Sequence, residues 1–168
     1  MRTISTKTKY GLRAMYCLAR HYGGAPVLVQ AISDEETIPK KFLELILLGV
    51  KAGGLVGSKP GRGGGYHLTR RPEDVTLGQV VRLLEGPLAP LPCASETAYE
   101  RCPECPNKTW CGTQLVMRRV RDATAAILDR TSLADVCLGV LDEGPSTNLD
   151  RIPAVCTISM TAKTASSL

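Results

Sequence analysis

The stretch that decides the fold runs from Gln30 to Leu68 and reads QAISDEETIPKKFLELILLGVKAGGLVGSKPGRGGGYHL. A short helix is expected near Val27–Asp34, then a turn through Glu35, Glu36 and Thr37. A second helix follows from about Pro39 to Ala52, with Pro39 in the first turn, where a missing N–H costs nothing. Gly53 and Gly54 end it. Two helices of this size around a short turn are compatible with a helix-turn-helix. Leu55-Val56 and Tyr66-His67-Leu68 then read as two short strands, joined by residues 57–65, which are too glycine-rich for a core and basic at their tip. A hairpin directly after a candidate recognition helix is a wing. Its glycines let the backbone approach a phosphate chain, while Lys59 and Arg62 carry the charge. A flexible surface hairpin is the competing reading of the same residues.

Outward from this core, residues 6–22 place Tyr10, Ala14, Leu18 and Tyr22 on one helical stripe, stopped by Gly23-Gly24. Downstream, Thr76 and Gln79 form a capping-box pattern that opens a helix with Val80, Leu83 and Leu84 inward, closed by Gly86-Pro87. An irregular Pro- and Cys-rich segment, residues 88–112, leads to a long helix from about Thr113 to Arg130. There Val116, Val120, Ala123 and Ile127 repeat at 4-3-4 spacing, a narrow apolar seam of the kind that pairs with another helix. Ser132 and Asp135 suggest a further capped helix to about Leu141, and the chain beyond Gly144 has no periodicity, as in a disordered tail.

Charge is divided unevenly. Residues 1–71 hold twelve Lys/Arg against four Asp/Glu, and residues 72–168 hold nine against twelve. A basic front half points to a polyanion partner. No stretch approaches the roughly 20 apolar residues of a membrane span, and the N-terminus lacks the apolar core of a signal peptide, so a cytoplasmic protein is expected.

Seven cysteines are present, an odd number; in a reducing compartment clustered thiols bind metal or do redox work more often than they form structural disulfides. Cys17 and Cys137 sit at apolar helical positions and read as core. Cys93, Cys102, Cys105 and Cys111 fall within nineteen residues on one loop, with Pro92, Pro103 and Pro106 beside three of them to stiffen it. Thiolates in this arrangement suit iron–sulfur or zinc. Zinc sites commonly use two Cys-x2-Cys knuckles, and this chain has one, at Cys102 and Cys105. A zinc staple, a thiol switch and a small dithiol redox protein are the alternatives; the last normally needs a helix start beside a strand, not a Pro-rich loop. No catalytic constellation stands out, since neither His21 nor His67 has a nucleophile nearby, and GRGGG lacks the ending of a phosphate-binding loop. No enzyme and no small-molecule substrate are expected.

The 30–68 string, together with STKTKYGLRAMYCLA at the front, DVTLGQVVRLLEGP after the wing and LDRTSLADV near the end, resembles the Rrf-type (IscR/NsrR-like) winged-helix transcriptional regulator family over residues 1–140. The resemblance implies a mainly α fold with a small β wing: a winged helix-turn-helix domain plus a long C-terminal dimerisation helix. On that basis residues 1–87 are the DNA-binding domain, 88–112 a cluster-binding loop, 113–141 the dimerisation helix with a short following helix, and 142–168 a tail. It also implies a homodimer on a palindromic operator of double-stranded DNA. Lys40 and Lys41 match the helix N-terminus where the family meets phosphate, and Glu44 matches a glutamate that accepts a hydrogen bond from cytosine. Gly64 and Tyr66 belong to the matching GGY-x-L wing. Leu45, Leu48 and Gly49 replace positions that are usually polar or charged. Cys93, Cys102 and Cys111 fall where cluster-binding members place three cysteines. Gln114 stands where a fourth, histidine, ligand occurs, which leaves Cys105 as substitute and Glu104 or a partner's residue as further choices. The cluster, [2Fe-2S] or [4Fe-4S], would respond to iron–sulfur, redox or nitric oxide status. Trp110 could shield it from solvent or simply pack.

Overall fold

The computed structural model describes residues 4–103, 105 and 111–139. The expectations for Glu104, Trp110 and a tail over 142–168 lie outside these residues, whereas the helix expected to end near Leu141 stops at Leu138, where Gly139 takes left-handed backbone. The chain order is α1 (Thr6–Arg20), α2 (Val29–Glu36), α3 (Lys40–Ala52), β1 (Val56–Lys59), β2 (Gly65–Leu68), α4 (Leu77–Glu85), α5 (Gly112–Arg130) and α6 (Leu133–Leu138). Short 3-10 turns lie at Pro72–Asp74 and Pro92–Ala94.

α1 starts where the Ser5 hydroxyl accepts from the Thr8 N–H. It buries Ala14, Met15 and Leu18 against Ile32 of α2 and Leu43, Ile46, Leu47 and Val50 of α3. It stops two residues earlier than its periodicity suggests. His21 caps it, and the Tyr22 N–H turns back to Ala19 O. α2 begins and ends two residues later than expected. Glu35 and Glu36, expected in the turn, form its last turn because Arg13 and Arg20 of α1 hold them there. The turn itself rests on Thr37, which adopts left-handed backbone at φ 51. That conformation costs a β-branched residue about 1–2 kcal/mol. Beside it, the Ser33 hydroxyl donates to Ile38 O at 2.6 Å and the Ile38 N–H to Ser33 O at 3.0 Å.

β1 and β2 pair antiparallel, Val56 with Leu68 through Lys59 with Gly65. The strands run further into the glycine-rich segment than expected, since Gly57, Ser58 and Lys59 are paired. Val27 adds a bridge to Tyr66, with reciprocal N–H to O bonds of 2.8 Å, so the wing is seated on the front of α2. A Cβ on Gly65 would strike the Val27 carbonyl, which explains that glycine.

On α4 the Thr76 hydroxyl caps Gln79 N–H, but only this half of the expected capping box forms. Val80 and Leu84 are buried, whereas Leu83 is exposed, contrary to expectation. It lies over Gly53 at the end of α3, where a Cβ would meet its side chain. α5 buries none of its residues within the chain. α6 then returns to the core, where Leu133 and Cys137 are buried against α1, behind a complete capping box between Ser132 and Asp135.

Candidate nucleic-acid interface and cysteine centre

Five basic residues of the front half, Lys40, Lys41, Lys51, Lys59 and Arg62, are exposed on α3 and the wing. α3 has no side-chain cap, so its first-turn amides open outward beside Lys40 and Lys41. Glu44, Leu45, Leu48, Gly49 and Lys51 are exposed along the same helix. Lys51 Nζ donates to Ser58 Oγ at 2.7 Å and ties the end of α3 to the wing. At the wing tip Gly61 and Gly63 have φ of +90 and +79, the left-handed backbone that glycine adopts without steric cost. Lys59 and Arg62 are exposed there. Gly64 is buried instead, facing the Lys59 carbonyl, and Tyr66 is half-buried beside Val27. Both therefore shape the wing, and its charge is carried by Lys59 and Arg62.

Ion pairs that sequence reading missed hold α1 to the last turn of α2. Arg20 bridges Glu35, at 2.5 Å, and Glu36, while Arg13 reaches the Glu36 carboxylate at 3.2 Å. Burial is the largest single influence on the Glu35 carboxylate and works against it, but hydrogen bonds from Arg20 and Cys17 and the Arg20 charge together hold it below the usual range. The Glu85 carboxylate accepts from Ser5 Oγ at 2.6 Å and Thr8 Oγ1 at 2.5 Å, locking α4 to the start of α1. These partners lie 15 to 80 residues apart in sequence, so no local pattern announces them.

The cysteine loop gathers at the N-terminal end of α5. Cys93 is buried in the 3-10 turn, and Cys111 is the N-cap residue of α5. Gln114 Nε2 donates to Cys93 O at 2.6 Å and Arg121 Nη1 donates to Ala94 O at 2.7 Å, so α5 grips the turn with two side chains. Cys102, Cys105 and Cys111 are half-exposed. The Gln114 backbone N–H and then the Cys105 thiol hydrogen-bond Cys111 and lower its pKa. The same thiol–thiol bond raises that of Cys105, with the Cys111, Cys102 and Cys93 charges adding to it. Cys105 thus lies within electrostatic reach of the other three loop sulfurs. At the far end of α5, Asp129 takes a two-pronged grip from Arg82 of α4, at 2.6 and 2.8 Å. Gly78 permits this closeness, because a Cβ there would strike Asp129.

Among the described residues, Cys17, His21 and Glu35 bring three ligand atoms within 4.8 Å of one another. The i, i+4 spacing of Cys17 and His21 was the only sequence signal for it. It suits packing better than a cation. Burial, then the Glu35 charge, pushes the Cys17 thiol up to about 12, and Glu35 is already engaged by Arg20.

The family model described as "Rrf2: Iron-dependent Transcriptional regulator" matches residues 4–138. A protein of Rhodobacter capsulatus named as an rrf2-like HTH-type transcriptional regulator is 37% identical over 136 residues, spanning 79% of this chain and 91% of its own. Among solved structures, CymR (YrzC), the global cysteine regulator of B. subtilis, superposes with a TM-score of 0.68 at 32% identity, covering 81% of this chain and 96% of that one. T. potens IscR gives a TM-score of 0.66 at 28% identity, covering 87% and 93%.

Proposed function

The chain belongs to the Rrf2 family of transcriptional regulators, and from that premise we propose that it reads a palindromic operator as a homodimer whose affinity is set by an iron–sulfur cluster on Cys93, Cys102, Cys105 and Cys111. Membership makes the protein a DNA-binding regulator and not an enzyme. The observation that carries the sensing half is one of placement. The four thiols lie at one end of α5, whose other end is clamped to α4 through Arg82 and Asp129.

The donor set fits such a group. The Gln114 side chain is spent on Cys93 O, so Cys105 is the fourth donor among the described residues. Four clustered thiolates suit an iron–sulfur cluster, whereas structural zinc more commonly uses two Cys-x2-Cys knuckles and this chain has one. When bound, the cluster supplies sensitivity to oxidant, nitric oxide or iron supply. The chain's own residues do the rest. Gln114 and Arg121 couple the loop to α5, and Arg82–Asp129 couples α5 to the DNA-reading unit. The seam of Val116, Val120, Ala123 and Ile127, exposed in the single chain, offers a second copy a helix to pack on. Two recognition helices at fixed spacing can then enter successive major grooves, and a relaxed loop no longer fixes that spacing.

Anaerobic purification followed by visible absorption and by iron, sulfide and zinc analysis tests this reading. Iron with acid-labile sulfide and visible colour are expected, and Cys102→Ala should abolish both. Colourless protein holding one zinc per chain would overturn it. A second reading rests on the Cys105–Cys111 hydrogen bond. There the two thiols lose two protons and two electrons to a peroxide-class oxidant and form a disulfide, and the metal-free protein still responds.

A further inference from the structure

The outward face of α3 bears apolar groups where a solvent-facing helix ordinarily bears charge. Leu45 is 66% exposed and Leu48 55%, while Leu43, Ile46, Leu47 and Val50 on the opposite face are buried. Lys41, Leu45, Leu48 and Ala52 recur at 4-3-4 spacing and form one stripe facing away from the core. Gly49, one turn on from Leu45, opens the same way, and a Cβ there would meet nothing within 4 Å. The fold therefore does not require glycine at 49, although a helix-interior glycine is a handicap relative to alanine. Two bare leucines and an unforced glycine share one stripe, and all three make sense if something outside the chain approaches it closely.

The surroundings specify what that is. Lys40, Lys41 and Lys51 border the stripe on the helix, and Lys59 and Arg62 stand beside it on the wing. The occupant is therefore anionic at its rim and apolar at its centre. Duplex DNA has this character in its major groove, where the 5-methyl group of thymine is the apolar feature among donors and acceptors.

We infer that Leu45 and Leu48 read thymine by enclosing its 5-methyl group, with Gly49 giving the base-pair edge room to approach the helix backbone. This rests on the DNA-reading role proposed above for α3 and adds the base it selects. Glu44, adjacent to Leu45, can only accept hydrogen bonds when ionised and so favours cytosine. The helix thus separates the two pyrimidines by what each displays in the groove: an amino group for Glu44, a methyl group for the leucines.

The test uses the full-length protein, purified anaerobically, and a duplex that it selects from a random pool. Each thymine is then replaced by deoxyuridine, which deletes the methyl and leaves base pairing and phosphate charge intact. At one or two thymines per half-site the affinity should fall about fourfold, the equivalent of one methylene-sized group left unburied at about 0.8 kcal/mol. Leu45→Ala or Leu48→Ala should weaken the thymine duplex by a similar factor and bring the thymine-to-uracil ratio at its own position to one. Gly49→Ala should bind more weakly while unfolding at a higher temperature. Normal binding with no position sensitive to deoxyuridine, or a selected site lacking thymine opposite α3, overturns thymine reading and leaves DNA binding standing. Loss of self-association without change in DNA selection in the leucine variants overturns it too, by assigning the stripe to a second copy. Failure to bind any duplex, even at low salt, would instead overturn the reading of α3 on which it rests.

Discussion

A Cβ on Gly64 would run into the carbonyl oxygen of Lys59, a backbone atom that cannot swing aside. Gly64→Ala should therefore open the wing turn and destabilise the protein by about 1–3 kcal/mol, as local backbone strain does. Thermal unfolding measures this. Arg62→Ala, at the exposed tip, should leave the unfolding temperature unchanged and reduce the salt slope of DNA binding by about 1. Burial sorts the cysteines in the same way. In reduced, metal-free native protein a thiol reagent should label the half-exposed Cys102, Cys105 and Cys111 and spare Cys17 and Cys137, as peptide mapping would show. Core cysteines and wing charges were legible in sequence because apolar spacing and glycine content report them directly. The inward packing of Gly64 was not, because it depends on the φ values of Gly61 and Gly63. Leu83 was misread for a related reason: its partner is Gly53, and only the closeness of α3 and α4 creates that contact.

Helices and strands were legible to different degrees. α3 and α4 follow from their apolar spacing and end signals. α2 shifted by two residues because Arg13 and Arg20, on another helix, decide where its last turn lies. β1 extended through Gly57 to Lys59 because cross-strand pairing overrode a composition that reads as loop. The coupling between α4 and α5 was likewise invisible, since Arg82 and Asp129 are 47 residues apart. That pair is exposed, so Arg82→Ala should cost no more than about 1 kcal/mol of stability. Its larger effect should fall on the affinity difference between the cluster-loaded and cluster-free protein, which band-shift titration of both forms would show to shrink. Acid should loosen the same region. The Arg82 hydrogen bond lowers the pKa of Asp129 and the Ser132 hydroxyl lowers that of Asp135. A carboxylate with a depressed folded-state pKa stabilises the fold above its unfolded value of about 3.9, and the contribution disappears as pH falls through the folded value. The stability of the wild type should therefore drop below about pH 4. Asp135→Asn should show a shallower acid limb by circular dichroism.

Across the whole molecule, twelve basic residues against four acidic ones in the first 71 make one end of the chain an electrostatic partner for a duplex. A 19-residue helix with nothing buried leaves the other end open to the second copy of the proposed homodimer. Ile127 is 67% exposed at the C-terminal end of that seam. Ile127→Asp should yield monomers in sedimentation velocity and bind the selected duplex at least tenfold more weakly, because a lone half-site contact loses the effective concentration of its twin. Between the two ends lies the cysteine loop, and the account stands on its control of how the recognition helices are spaced. The most direct test is equilibrium binding of the anaerobic dimer to its selected duplex and to a random duplex, at one ionic strength, before and after the iron is removed. Affinity for the selected duplex should change at least tenfold while that for the random duplex stays within twofold. Equal affinity for the selected duplex in both states would contradict the account.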